Sequence, residues 1–153
     1  MDIQIRKFRE EDAIEVSDVI KKAFLSIISE EYNKESIEDQ IKENPPKKLI
    51  EKAKKVTYFV AIEKDKILGF GGYDKEKIHT FFVKPEIQRK GIGSKIMERI
   101  LREAKKDGIK FLKCWATLNA EKFYTSFGFK KGEKLTLQTK NSPITFLVMT
   151  RKL

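Results

Sequence analysis

Cysteine and histidine are almost absent from this chain of 153 residues, in which Cys114 and His79 each occur once. A lone cysteine excludes an internal disulfide, so we expect a reducing, cytoplasmic location. One histidine and one cysteine cannot complete a closed metal site, and the sequence therefore predicts no bound metal. Because no His/Asp pattern surrounds Cys114, we interpret it as a small core residue and not as a nucleophile that carries an acyl group.

Long apolar runs are also missing from the chain. No stretch is long enough to span a bilayer, and residues 1–7 lack the apolar core of a signal peptide, so we expect no membrane partner. The hydrophobic content of 40% is nevertheless too high for a disordered chain. Because there are no linkers, repeats or low-complexity tracts, residues 1–153 are predicted to form a single domain.

Acidic residues are too few to balance the basic ones, which leaves a formal charge of +10. Acids and lysines are nevertheless interspersed along almost the whole chain, which is typical of a solvated surface. A nucleic-acid-binding module more often concentrates its lysines on one face, with aromatic residues among them. The pattern therefore favours a charged surface over a basic nucleic-acid-associated domain, and the excess charge would still help to attract a polyanion.

Hydrophobic periodicity divides the chain into strands and helices. Strands are predicted at 3–8, 56–62, 67–73, 77–83, 111–116, 129–137 and 144–149. Helices are predicted from residue 11 with Asp12 as a cap, in two short pieces within 33–55 that Pro45 and Pro46 separate, after Gly93, and at 119–127. A turn is predicted at 140–143.

The order of these elements predicts an α/β domain with a mixed sheet. Short turns join the strands at 56–62, 67–73 and 77–83, so these three are expected to be antiparallel. A helical crossover separates 77–83 from the buried strand predicted at 111–116, which makes those two strands parallel if they are neighbours. The three glycines within 67–73 predict a bulge or a close approach by other backbone.

The segment 88–94 reads Gln-Arg-Lys-Gly-Ile-Gly-Ser and joins a predicted strand to the clearest amphipathic helix. A helix start leaves backbone N–H groups unpaired and carries a partial positive charge, so it attracts anions. Glycine allows a phosphate to approach these groups because no Cβ intervenes, and Arg89 and Lys90 add cations. The segment therefore predicts a ligand that bears phosphate.

Two motifs in the C-terminal half of the chain resemble the GNAT family of acetyl-CoA-dependent N-acetyltransferases. The first is Gln-x-x-Gly-x-Gly at 88–93, and the second is Asn-Ala-x-x-Phe-Tyr-x-x-x-Gly-Phe at 119–129. They follow in the family's order, separated by one predicted helix and one predicted strand. The resemblance implies a single-domain GNAT-like α/β fold, in which a mixed, mostly antiparallel twisted sheet with a splayed parallel strand pair is flanked by helices.

The resemblance also implies a binding site for acetyl-CoA as cosubstrate. The glycine segment would hold the pyrophosphate mostly through backbone N–H groups, and a splayed strand edge would pair with the amides of the pantetheine arm. The implied cofactor-binding residues are Phe82, Val83, Gln88, Arg89, Lys90, Gly91, Ile92, Gly93, Ser94 and Asn119.

Tyr124 and His79 are the candidate catalytic residues. In many GNAT enzymes the tyrosine at this position protonates the leaving thiolate, although an aromatic anchor for the short helix is the alternative. His79 lies where some members, of the arylalkylamine type, carry a histidine that removes the acceptor's proton through water. Many others use a glutamate where this chain has Lys77, so the identity of the base stays open.

The predicted function is transfer of an acetyl group from acetyl-CoA to a primary amine, by direct attack in a ternary complex. Small amines, amino acids, antibiotics and protein amines all remain open as acceptors. A non-catalytic acyl-CoA-binding or regulatory module is the alternative, which a filled acceptor pocket would favour. The final strands could also pair across a homodimer.

Overall fold

The computed structural model describes residues 2–29, 32–138 and 143–153, which form two antiparallel sheets flanked by helices. The strands are β1 (Gln4–Lys7), β2 (Thr57–Glu63), β3 (Lys66–Tyr73), β4 (Ile78–Val83), β5 (Phe111–Ala116), β6 (Lys130–Gln138) and β7 (Pro143–Lys152). The helices are α1 (Ala13–Ser26), α2 (Lys34–Lys42), α3 (Pro46–Lys52), α4 (Ile92–Lys106) and α5 (Glu121–Ser126). Most of the turn predicted at 140–143 lies outside the described residues.

The strands follow the orders β1-β2-β3-β4 and β5-β7-β6, and every ladder within these two sheets is antiparallel. β4 and β5 meet at a parallel bridge between Lys77 and Lys113, where the Lys113 N–H donates to the Glu76 carbonyl at 3.0 Å. Within the described ranges no ladder continues beyond that bridge. The splayed parallel pair is therefore confirmed, and the parallel part of the mixed sheet is reduced to this one contact.

The first sheet is covered on both faces. Phe59 and Ala61 of β2 pack into the core under α4, whereas Tyr58 and Val60 pack into the core formed with α1, α2 and α3. This alternation explains why the β2 sequence is apolar almost without interruption. In the part of the chain that the structure describes, no helix has the length and apolar character needed to cross a membrane.

Two local predictions are only partly right. Asp12 occupies the N-cap position of α1, but its carboxylate makes no capping hydrogen bond, because it accepts two hydrogen bonds from Arg6 at 2.8 and 2.9 Å and one from the Arg9 N–H. This two-point guanidinium contact satisfies the carboxylate better than a helix start would. β5 is buried on one face only, since Phe111 and Trp115 are 61% and 43% exposed.

Candidate active site

The start of α4 is built by two residues in the left-handed region of backbone conformation. Arg89 has a φ of 68° and Gly91 a φ of 83°, and Gly91 is the N-cap of the helix. The Gly91 carbonyl accepts from the Lys95 N–H at 3.1 Å, so the N–H groups of the intervening first turn have no partner within the helix. A Cβ placed on Gly91 would meet nothing within 4 Å, so the space in front of this turn is open.

A cavity of about 430 Å³ lies in front of this helix start, between α1, the end of β4 and the 117–123 segment. Its volume is in the range of small-molecule sites. Lys90 is exposed and does not line it, and the Gln88 amide donates to the Val83 carbonyl at 3.3 Å. The other predicted cofactor residues all line it, namely Phe82, Val83, Gln88, Arg89, Gly91, Ile92, Gly93, Ser94 and Asn119.

A second cavity of about 270 Å³ adjoins the first. Tyr124 and His79, which lie far apart in the sequence, both line it. The ends of α2 and α3 also line it, through Glu43 and Lys52. The two cavities share wall residues, namely Phe81, Phe82, Thr117, Ala120 and Phe123. The fold therefore brings the predicted catalytic and cofactor residues together into two adjoining cavities.

β4 contains a bulge where the two cavities adjoin. The sequence predicted a bulge only in β3, and there only as one of two alternatives. The register passes from Phe70–Phe82 to Gly72–His79, so Thr80 and Phe81 together oppose a single β3 residue. Thr80 has a φ of 39°, which is strained for a β-branched residue. The only sequence signal is the glycine-rich β3 opposite, because nothing in the β4 sequence itself marks a bulge.

The β3 glycines make room for aromatic side chains at the bulge. A Cβ on Gly71 would come within 2.6 Å of the Phe81 ring. The Phe81 ring, which has room because Gly71 lacks a Cβ, packs against Phe123 with ring centroids 5.4 Å apart. Phe123 in turn packs against Tyr124, also with centroids 5.4 Å apart. Side chains make most of the close approaches to these glycines, and the predicted approach by backbone occurs at Gly72, where a Cβ would come within 2.6 Å of the Thr57 carbonyl oxygen. The aromatic cluster ties the bulge of β4 to α5.

Tyr124 is 6% exposed and sits beside Cys114 on the cavity wall. Burial, with a smaller contribution from Cys114, raises the pKa of the Tyr124 phenol well above its ordinary value. The phenol therefore keeps its proton at neutral pH and can serve as a donor. Burial also raises the pKa of the Cys114 thiol to about 12, which keeps it from forming the thiolate a nucleophile needs.

His79 is paired with a carboxylate that sequence reasoning missed. Its Nε2 lies 2.7 Å from Asp74 Oδ2, while Asp74 Oδ1 accepts from the Glu76 and Lys77 N–H groups at 2.8 and 2.9 Å. Burial raises the pKa of Asp74, but these three hydrogen bonds outweigh it and leave the pKa below its ordinary value. Asp74 is therefore ionised and orients the His79 imidazole ring. The sequence signal for Asp74 was its position at the start of the turn before β4, where an aspartate commonly accepts hydrogen bonds from the N–H groups that follow it.

These features define a class of α/β protein in which a helix start between two diverging strands faces a ligand groove, beside a cavity that carries titratable side chains. A family model for the acetyltransferase (GNAT) domain matches residues 16–153. The chain belongs to the GNAT acetyltransferase family, as the two motifs indicated.

Solved structures of the same fold include N-acetyltransferases. A GCN5-related N-acetyltransferase from Rhodopseudomonas palustris matches with a TM-score of 0.92 and 17% identity, over 100% of this chain and 97% of that one. PaiA N-acetyltransferase from Thermoplasma acidophilum, solved with coenzyme A, matches with a TM-score of 0.77 and 23% identity over 100% of both chains. The ribosomal-protein-S18-alanine N-acetyltransferase from Escherichia coli matches with a TM-score of 0.75 and 17% identity, over 99% of this chain and 94% of that one. A comparison with curated proteins gives no match.

Proposed function

We propose that this protein is an acetyl-CoA-dependent N-acetyltransferase that acts by direct attack of a primary amine on the thioester in a ternary complex. The observation that carries the proposal is the pair of adjoining cavities, which share Phe81 and Phe123 as a common wall. Two substrates can occupy such cavities at once, with their reactive groups meeting at the shared wall.

The larger cavity fits the phosphate end of the cosubstrate. The first turn of α4, whose N–H groups have no partner within the helix, lines it, Gly91 leaves space for a phosphate, and Arg89 supplies a positive charge. Acetyl-CoA supplies the thioester carbon that the amine attacks. Coenzyme A is bound in the structure of the PaiA relative, which supports the same ligand class here.

The smaller cavity supplies groups for both proton transfers. Tyr124, kept protonated by its burial, is the proposed acid that protonates the departing thiolate. His79, oriented by Asp74 at 2.7 Å, is the proposed base that takes the proton from the amine, either directly or through water. An acetylated cysteine intermediate is disfavoured by the raised pKa of Cys114.

A non-catalytic binding module is the weaker alternative. A filled acceptor pocket would favour it, and the cavity of about 270 Å³ around Tyr124 and His79 is open instead. A basic nucleic-acid-associated domain would show binding to DNA or RNA that weakens steeply as salt increases.

Coenzyme A binding tests the proposal, and two glycines offer a matched pair of variants. Gly91 and Gly108 lie at opposite ends of α4 with φ values of 83° and 77°, and a Cβ at either would meet nothing within 4 Å. Valine at either position should therefore cost a similar ~1–2 kcal/mol or more of backbone strain. Only Gly91 lines the larger cavity.

Coenzyme A at a hundred times its Kd should stabilise the wild-type protein by about 2.7 kcal/mol, seen as a rise in the thermal midpoint. Gly91→Val should abolish this rise, whereas Gly108→Val should keep it. Acetyl-CoA-dependent thiol release with a panel of primary amines then tests for transfer. Absence of any coenzyme A effect on the wild-type protein, at millimolar concentration, would refute the proposed function.

A further inference from the structure

The lining of the smaller cavity carries more positive than negative charge. Its charged side chains, apart from His79, are Lys52 at the end of α3, Lys77 just before β4, and Glu43 just after α2. The Glu43 carboxylate is already engaged by Lys48 at 3.1 Å. Two ammonium groups therefore face a cavity whose one lining carboxylate is paired elsewhere.

Lys52 is partly buried, and no described carboxylate lies within ion-pair distance of its ammonium group. Its Nζ reaches only the Asn44 side-chain oxygen, at 3.5 Å. Burial lowers the pKa of Lys52, and repulsion from Lys48 and Lys77 lowers it further, while Glu43 acts in the opposite direction. The attraction of a bound anion would offset both the desolvation of this group and its repulsion by the other lysines.

Lys77 likewise makes no ion pair with any carboxylate that the structure describes. Its Nζ lies over the Trp115 ring, 4.2 Å from the centroid, and Trp115 also lines the cavity. The backbone of Lys77 is fixed by the bridge to Lys113 and by its hydrogen bond to Asp74. This charge is thus held at the cavity on a rigid strand start, with one face stacked on the indole and the rest available to a ligand.

We propose that the acceptor is a small primary amine that also bears a carboxylate, and that Lys52 and Lys77 bind this carboxylate while the amine points toward His79 and Tyr124. This inference rests on the proposed function and deepens it. The cavity of about 270 Å³ suits a compound of amino-acid size. Two lysines on separate elements would bind the two carboxylate oxygens and so fix the direction in which the amine enters.

The test compares amines that differ only in the carboxylate. Each unbranched amino acid from glycine to 6-aminohexanoate is compared with the alkylamine in which hydrogen replaces the carboxylate. Phenylalanine is compared in the same way with 2-phenylethylamine. In at least one pair the carboxylated amine should have a kcat/KM about 10- to 100-fold higher, the discrimination expected of charge-assisted hydrogen bonds. Lys52→Gln and Lys77→Gln should each reduce that ratio, mainly through KM.

Lys47→Gln is the matched control. Lys47 lies on the same helix as Lys52, is exposed, and does not line the cavity, so removing its charge should leave the ratio unchanged. Equal turnover of both members in every pair would overturn the inference, as would a preference that survives both cavity substitutions. A preference for diamines would overturn it in favour of Glu43 as the recognition group.

A binding measurement separates this inference from the proposed function. With coenzyme A present, N-acetyl amino acids should bind the wild-type protein more tightly by calorimetry than their uncharged methylamides, and Lys77→Gln should erase the difference. If coenzyme A binds but no amine is acetylated, the proposed function fails, and this product comparison still decides whether the cavity recognises a carboxylate. Equal binding of acid and amide would refute carboxylate recognition.

Discussion

The bulge in β4 makes a quantitative prediction about stability. Thr80 has a φ of 39°, and a residue with a Cβ in the left-handed region loses about 1–2 kcal/mol relative to ordinary backbone. Glycine avoids this cost but loses about 0.5–1 kcal/mol through its greater freedom in the unfolded chain. Thr80→Gly should therefore be more stable than Thr80→Ala by roughly 1 kcal/mol, which reverses the usual order of glycine and alanine in a strand.

Urea unfolding, followed by the fluorescence of Trp115, the only tryptophan, measures the difference directly. Both variants lose the threonine hydroxyl and methyl group, including the 3.5 Å contact of Thr80 Oγ1 with the Tyr58 hydroxyl, so their difference isolates the backbone. In thermal unfolding the gap should be about 2–4 °C for a chain of this size. If Thr80→Ala is as stable as Thr80→Gly, the backbone at Thr80 is not left-handed and the reasoning fails. We also expect Thr80→Gly to lower kcat, because a looser bulge holds His79 and Phe81 less firmly.

Three further predictions concern the candidate catalytic pair and the fold. Tyr124→Phe removes only the hydroxyl, so turnover should fall about 10²–10³-fold with coenzyme A affinity retained; unchanged turnover would leave Tyr124 an aromatic anchor. The rate of the wild-type enzyme should rise with pH because the base must be unprotonated, and His79→Ala should remove that rise but regain rate at high pH, where the free amine needs no base; an unchanged profile would assign the proton to solvent. Burial raises the pKa of Asp12, but hydrogen bonds from Arg6 outweigh this effect and hold the pKa below its ordinary value. Ionised Asp12 therefore stabilises the folded protein at pH values above the pKa of an unfolded carboxyl group, near about 3.9. This stabilisation is lost as the pH falls through the lower pKa of Asp12 in the folded protein. Asp12→Ala should accordingly cost about 1–3 kcal/mol at pH 7 and much less near pH 2, by urea unfolding at each pH.

The glycine segment and the α4 helix could be predicted because their signals are local. The apolar stripe of α4 repeats within a few residues of chain, so the sequence predicts the face that the helix buries. The helix itself begins at Ile92, so Gly93 lies inside it and not before it as predicted. The smaller cavity could not be predicted in the same way. Lys52 and His79 both line this cavity because α3 and β4 each pack against α1, and no sequence periodicity predicts such an arrangement.

Strand burial shows the same limit. The β2 run predicted a strand covered on both faces, which is confirmed, because uninterrupted apolar character is itself the signature of two cores. β5 also reads as largely apolar, yet Trp115 faces a cavity and Phe111 faces solvent. Apolar residues at a ligand site and apolar residues in a core have the same composition, so only the tertiary structure tells them apart.

Among the described residues, β4 pairs only with β3 and β5 only with β7 once the two strands separate beyond the Lys77–Lys113 bridge. Unpaired strand edges are templates on which other chains can add strands, and proteins usually protect them with charges or covering segments. Phe81, Phe82 and Val83 at the β4 edge line the larger cavity, in which we propose that the cosubstrate binds. A bound cosubstrate would then act as a shield against self-association, so the ligand-free protein should be the more prone to aggregate in storage or on mild heating.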